Sequence, residues 1–165
     1  LHGQSRREIT AAALDDIVSD AVASVSPLAT AEGVRIEATA LGGEIVEVDV
    51  RELTRAVTNI IRNAVQHTPA GGRVLLTTTR AEGWAVVSVT DACGGIPAGG
   101  LPRLLEPGWR GDSARSGRGM GLGLAIVDEV ARAHGGAVTI VGTAPAEGCT
   151  VSLRLPANHA VLTDP

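Results

Sequence analysis

Asn59 and Asn63 lie four residues apart in the run Asn59-Ile60-Ile61-Arg62-Asn63-Ala64-Val65-Gln66-His67-Thr68-Pro69. On a helix that spacing turns one side chain about 40° from the other, so both carboxamides leave one face and can share one ligand or hydrated cation. Carboxamide oxygens and waters suit hard magnesium, which is normally shared with a nucleotide's phosphates, and Asn63 is the expected ligand. Far downstream the glycines Gly117, Gly119, Gly121 and Gly123 recur at every second position. Unhindered backbone N–H groups at a helix start, reinforced by the helix dipole, favour an anion such as a phosphate. The ladder lacks the Lys-Ser/Thr of a P-loop and the spacing of a dinucleotide fold.

Between these blocks, Asp91 ends an apolar run and is followed by Gly94-Gly95. A carboxylate there can accept from an exocyclic amine while bare backbone lets a planar base approach. Taken singly, each feature has a plainer reading: a solvated polar face for the asparagines, an ordinary turn for Asp91, a hinge for the ladder. Taken together they read as an ATP site.

The elements that must position these groups follow from periodicity. Ile9 to Ala31 carries Ala13, Leu14, Ile17, Val18, Ala21, Val22 and Val25 at helical spacing, with Asp15 and Asp16 near the start. Residues 34–38 and 45–48 alternate apolar and charged around Gly42-Gly43, which predicts two short strands and a turn. Asp49 then caps a helix through Val50, Leu53, Val57, Ile60, Ile61 and Ala64, closed by Thr68-Pro69. On this helix Asn59 and Asn63 project away from the apolar stripe. Residues 73–80 and 84–90 form a strand pair around Ala81-Glu82-Gly83, and the second strand delivers Asp91. Residues 98–118, rich in Gly, Pro, Arg and Ser, read as a lid. A last helix over 119–134, with Leu122, Ile126, Val127 and Val130 buried, stops at Gly135-Gly136, and strands over 137–141 and 150–155 close the domain.

With 165 residues, 44% of them hydrophobic, the chain can form one compact domain. A net charge of −4 argues against a nucleic-acid or anionic-membrane partner. Cys93 and Cys149 match no zinc spacing, so reduced thiols in the cytoplasm are the default. No apolar run reaches the roughly 20 residues of a membrane helix. The chain opens on Leu1 rather than Met, which suggests an excised piece of a longer polypeptide.

Four blocks in order resemble the ATP-binding catalytic domain of sensor histidine kinases, within the group that includes gyrase and the Hsp90 chaperones. Asn59 to Pro69 resembles the family's N box, Asp91 to Pro97 its first glycine box, Leu104 to Arg110 its F box and Gly117 to Val127 its second glycine box. The likeness covers roughly residues 14 to 156. It implies an α/β two-layer sandwich of the Bergerat type: a mixed sheet packed on three helices, with an ATP lid. Residues 1–13 would end a linker from an upstream dimerisation domain, and 157–165 would be a disordered tail. By resemblance, Asn63 holds magnesium with Asn59 beside it, and Asp91 binds the adenine amino group with Thr150 assisting through water. His67, Gly95 and Ile96 line the pocket, while Gly119, Met120, Gly121, Leu122, Gly123 and Leu124 cradle the phosphates. Arg115 of the lid would contact the terminal phosphates, with Arg110 and Arg118 further candidates, because a guanidinium fork suits phosphate oxygens.

The implied reaction is in-line transfer of the ATP γ-phosphoryl group to a histidine on a dimerisation domain absent from this chain. The phosphate would then pass to a cognate response regulator. His2, His67, His134 and His159 lack the flanking residues of the family's phosphorylated box, so this chain alone should bind ATP without phosphorylating itself. The expected setting is a cytoplasmic domain, with no direct membrane contact, of a sensor that can be membrane-anchored. Departures from the pattern include Cys93 in place of a glycine, Leu105 and Trp109 at the aromatic positions of the F box, and Gln66 and His67 where Lys and Tyr are usual. Two alternatives share the nucleotide boxes: an anti-sigma-factor serine kinase, and a degenerate nucleotide-sensing interaction module.

Overall fold

Among the described residues, backbone pairing forms two sheets. The computed structural model describes residues 6–39, 41–91, 120–142 and 148–157. In chain order the elements are β1 (Ile9–Ala13), α1 (Leu14–Glu32), β2 (Arg35–Ala38), β3 (Ile45–Asp49), α2 (Val50–Gln66), β4 (Arg73–Ala81), β5 (Trp84–Asp91), α3 (Met120–Ala133), β6 (Ala137–Gly142) and β7 (Cys149–Pro156). A five-stranded sheet runs β2-β4-β5-β7-β6, and β1 pairs with β3 in a separate two-stranded sheet. The large sheet is mixed, since β2 lies parallel to β4 while the other pairings are antiparallel.

Period-two alternation gives the large sheet one apolar and one polar face. Val74, Leu76, Ala85, Val87, Val89, Leu153 and Leu155 are buried with the apolar sides of the three helices in one core. The opposite face carries the hydroxyl pairs Ser88 Oγ with Ser152 Oγ and Thr90 Oγ1 with Thr150 Oγ1, each 2.9 Å apart. There the Arg154 guanidinium lies 4.6 Å from the ring centre of Trp84. One covered face and one wet face make the expected two-layer α/β sandwich.

Two local expectations change. The first helix begins at Leu14 rather than Ile9, because residues 9–13 form β1, from Ile9 opposite Asp49 to Ala13 opposite Ile45. The apolar helical repeat itself starts only at Ala13, and strand pairing overrides the helix preference of the preceding alanines. The strands around Gly42-Gly43 do not pair with each other either: β2 joins β4 and β3 joins β1. The β4–β5 hairpin holds as read, since Glu82 at φ 51° and Gly83 at φ 85° give the two positive-φ residues of a tight hairpin turn.

α2 is the central helix, packed against both α1 and α3. It buries Leu53, Ala56, Val57, Ile60, Ile61, Ala64 and Val65. Asp49, itself buried, starts it: Oδ1 accepts from the Glu52 N–H at 3.0 Å and Oδ2 from the Glu8 N–H at 2.9 Å. The Glu52 and Glu8 amide hydrogens, helped by the Arg51 N–H, hold the Asp49 carboxyl below its ordinary value against the opposing pull of burial. A carboxyl lowered on folding contributes stability that is complete above its unfolded pKa and is lost as pH falls through the folded one. Stability should therefore decline below about pH 4, and Asp49→Asn, which keeps a capping oxygen but no charge, should flatten that part of the decline. Urea midpoints of both proteins from pH 5 to pH 2.5 test this, and parallel curves would refute it.

α3 ends in a tight backbone lock. The Gly135 N–H donates to the Arg132 carbonyl at 3.1 Å and the Gly136 N–H to the Ala131 carbonyl at 2.8 Å, with Gly135 at φ 78°. These two bonds are the Schellman pattern that the Gly135-Gly136 stop predicts, with His134 as the cap residue.

Candidate functional site

α2 and α3 run antiparallel, so the C-terminal half of α2 meets the N-terminal end of α3. There Asn63 faces Gly123, where an added Cβ would lie 3.3 Å from Asn63 Nδ2 and 3.8 Å from Oδ1. The two sequence blocks, 60 positions apart, thus converge at one spot. Asn63 and Asn59 are half-buried rather than solvated. Asn63 lies on the flank of α2 toward α3, and a helix with a partner on its side buries more than its apolar stripe.

Asn63 Nδ2 is buried without a hydrogen-bond partner, and it is the one such side-chain atom among the described residues. An orphaned buried amide costs about 1–3 kcal/mol, so its place needs an explanation. A ligand supplies one: the amide hydrogens can meet a phosphate oxygen while Oδ1 can meet a hydrated cation. The donor set therefore fits magnesium bound together with phosphate, as at a nucleotide's tail. Among the described residues no cluster of three His, Cys, Asp or Glu offers a cation an all-protein cage.

His67 follows the last residue of α2. Its Nδ1–H donates to the Asn63 carbonyl at 2.7 Å, so the ring seals the helix end one turn beyond the asparagine side chain. Thr68 Oγ1 donates to the Ala64 carbonyl at 2.8 Å beside it. The ring is half-buried and fixed at the edge of the same face.

Asp91 is the last residue of β5, and its strand partner is Cys149 of β7. Paired residues share a face, so Cys149 stands with Asp91 on the side of the helices. Thr150 does not. It pairs with Thr90, to which its hydroxyl is bonded, on the wet face of the sheet. The expectation that Thr150 assists at the Asp91 side is therefore corrected by one residue, and parity along β7 makes Cys149 the neighbour. A one-residue step in a strand exchanges faces, and counting from Asp91 across the pair would have found it. Cys149 is 5% exposed and disulfide-bonded, contrary to the expectation of reduced thiols. Bridging depends on proximity rather than on cysteine count, which is why spacing alone was silent.

Met120, Gly121, Leu122, Gly123 and Leu124 form the first turns of α3, with Leu124 buried. The glycine ladder thus does run into a helix start, where backbone N–H groups have no partner within the helix. Cys93, Gly95, Ile96, Arg110, Arg115 and Gly119 lie outside the described residues.

The chain is similar to known proteins in both sequence and fold. The family described as histidine kinase-, DNA gyrase B-, and HSP90-like ATPase matches residues 48–159. The chain is 35% identical over 146 residues to the sensor histidine kinase RppB of Synechocystis sp., covering 87% of this chain and 32% of that protein. It is also 35% identical over 146 residues to the sensor-like histidine kinase SenX3 of Mycobacterium tuberculosis, covering 87% of this chain and 35% of that protein. Among solved structures, the mycobacterial sensor histidine kinase MprB is similar at a TM-score of 0.81 and 27% identity, covering 92% of this chain and 99% of that one. Full-length ShkA in complex with AMPPNP is similar at 0.79 and 28%, covering 92% of this chain and 32% of that one. The chain spans 32% or less of the length of the first three curated relatives it matches.

Proposed function

Because the chain belongs to the family of histidine kinase-, DNA gyrase B-, and HSP90-like ATPases, we propose that it is the ATP-binding catalytic domain of a two-component sensor histidine kinase. It would deliver the ATP γ-phosphoryl group to a histidine on a dimerisation domain reached through residues 1–13, for onward transfer to a response regulator. The similarity to named sensor histidine kinases supports the reaction class. The observation that carries the site is the orphaned Asn63 amide against Gly123.

In this reading Asp91 accepts from the adenine amino group at the helix side of β5, with the half-buried His67 ring at the pocket edge. The first turns of α3 offer N–H groups to phosphate oxygens, and Asn63, with Asn59 beside it, orients the phosphate tail. Arg115, and with it Arg110, neutralises charge on the transferring group from the lid. Magnesium, held by Asn63 and the phosphates, would supply charge neutralisation at the transferring group. Catalysis is then positioning and electrostatics, with the nucleophile supplied by another domain. The setting is cytoplasmic, where ATP and a response regulator are available. Among the described residues no helix is long and apolar enough to cross a membrane.

Calorimetry with magnesium and ATP should give a saturable heat. Gly123→Ala should weaken that binding about tenfold, because the new methyl presses on Asn63 Nδ2 at 3.3 Å. The same change adds helix propensity worth up to about 1 kcal/mol, so thermal stability should not fall. Affinity and stability moving apart is the signature of a ligand-facing glycine. No saturable heat at millimolar ATP for the unaltered chain would overturn the assignment, as would equal affinities in the two proteins.

A further inference from the structure

His134 sits at the end of α3 away from Gly123, and both of its ring nitrogens are engaged. Nδ1 lies 2.7 Å from the Val130 carbonyl, and Nε2 lies 3.1 Å from the Asp49 backbone nitrogen. A carbonyl can only accept and an amide N–H can only donate, so the ring is the neutral Nδ1–H tautomer, with the Nε2 lone pair taking the Asp49 N–H. His134 is half-buried, and Asp49 is buried.

Asp49 is the meeting point of three segments. It caps α2 through Glu52, takes the Glu8 N–H on its other oxygen, and pairs with Ile9 across β1 and β3. Arg7 Nε adds an ion pair to Glu52 Oε1 at 2.6 Å. The incoming N-terminal segment, the start of α2 and the end of α3 are therefore joined through two residues. α3 is held at one end by this imidazole and meets Asn63 at the other. From Gly123 to His134 is eleven residues, or about 16 Å of helix, so a tilt of about 4° about His134 moves the Gly123 end by about 1 Å. A displacement of that size at a reacting centre can cost about 100-fold in rate.

We propose that His134 is a positioning residue that ties the pose of α3, and with it the phosphate cradle, to the strand through which the chain enters the domain. This rests on the nucleotide-site reading above. It makes residues 8–13 the place where a preceding domain influences nucleotide binding, and by reciprocity nucleotide must act back on those residues.

The test is amide exchange on the 165-residue chain with and without magnesium and AMPPNP. The nucleotide should slow exchange across residues 8–13 at least about threefold. His134→Leu, similar in bulk but without an acceptor, should lose that slowing and bind AMPPNP about tenfold more weakly. His134→Gln, whose Oε1 can take the Asp49 N–H, should restore both. A residue of merely structural importance would lower the melting temperature without uncoupling the two ends. Binding by the unaltered chain with no change at residues 8–13 overturns the coupling alone, and so does a leucine variant that keeps the slowing. No AMPPNP binding by the unaltered chain overturns the coupling and the site together. The unaltered chain decides the matter even if the leucine variant fails to fold.

Discussion

Replacing Asn63 with alanine should cut phosphate transfer from ATP to a supplied histidine-bearing dimerisation domain by at least about 100-fold, the scale of losing a group that acts on developing charge. The melting temperature should stay within about 3 °C of the unaltered chain, or rise. The second expectation makes the first informative. Asn63 Nδ2 is buried against Gly123 without a partner, so deleting the carboxamide removes an unsatisfied polar atom rather than a structural bond. A residue that costs stability and holds activity belongs to a site. Labelled transfer and a thermal melt on the same preparation decide the point. Full-rate phosphorylation sinks the metal and phosphate assignment, and a melting point lower by 10 °C or more shows that Asn63 is a packing residue instead.

Gly136→Ala should be the most damaging single-methyl change in the described fold. A Cβ there would be driven into the Arg154 carbonyl oxygen and lie 3.3 Å from Leu155 Cα, all backbone of β7. Neither can rotate away as a side chain would, so β6 and β7 must part where they pair from Ala137 opposite Arg154. The cost should be about 3 kcal/mol, at the upper end of overpacking, or about 9 °C in melting temperature for a chain of this size. Gly135→Ala is the internal control. Its Cβ meets nothing closer than Pro156 Cγ at 3.5 Å, and its penalty comes from φ 78°. That conformational penalty is about 1–2 kcal/mol, so Gly135→Ala should be the milder variant by chemical denaturation. The reverse order would contradict the close approach.

The α2 cap at Asp49, the apolar stripe of α2, the β4–β5 hairpin and the glycine stop after α3 were readable because local chemistry fixes each. A capping carboxylate, a 3.6-residue period, two positive-φ positions and a left-handed cap act within a few residues of themselves. What the residues did not disclose depends on partners distant in sequence. β1 looks like the start of a helix until β3 pairs with it, and β2 and β3 look like a hairpin until each finds its own neighbour. Asn63 reads as a wet position until α3 is laid beside it. Thr150 is the instructive case, because the block was placed on the right strand and the face was wrong by one residue. Motif order identifies a site, but strand parity decides which side chain enters it.

The stacking of Trp84 beneath Arg154 has an optical consequence. The chain has two tryptophans and no tyrosine or phenylalanine, so its near-ultraviolet emission comes from two indoles. Trp84 is clamped by a guanidinium on the hydroxyl-lined surface, with the whole sheet between it and the Asn63 side. Its contribution should be a constant background during a titration, so any change in emission on adding ATP would belong to the other indole, Trp109.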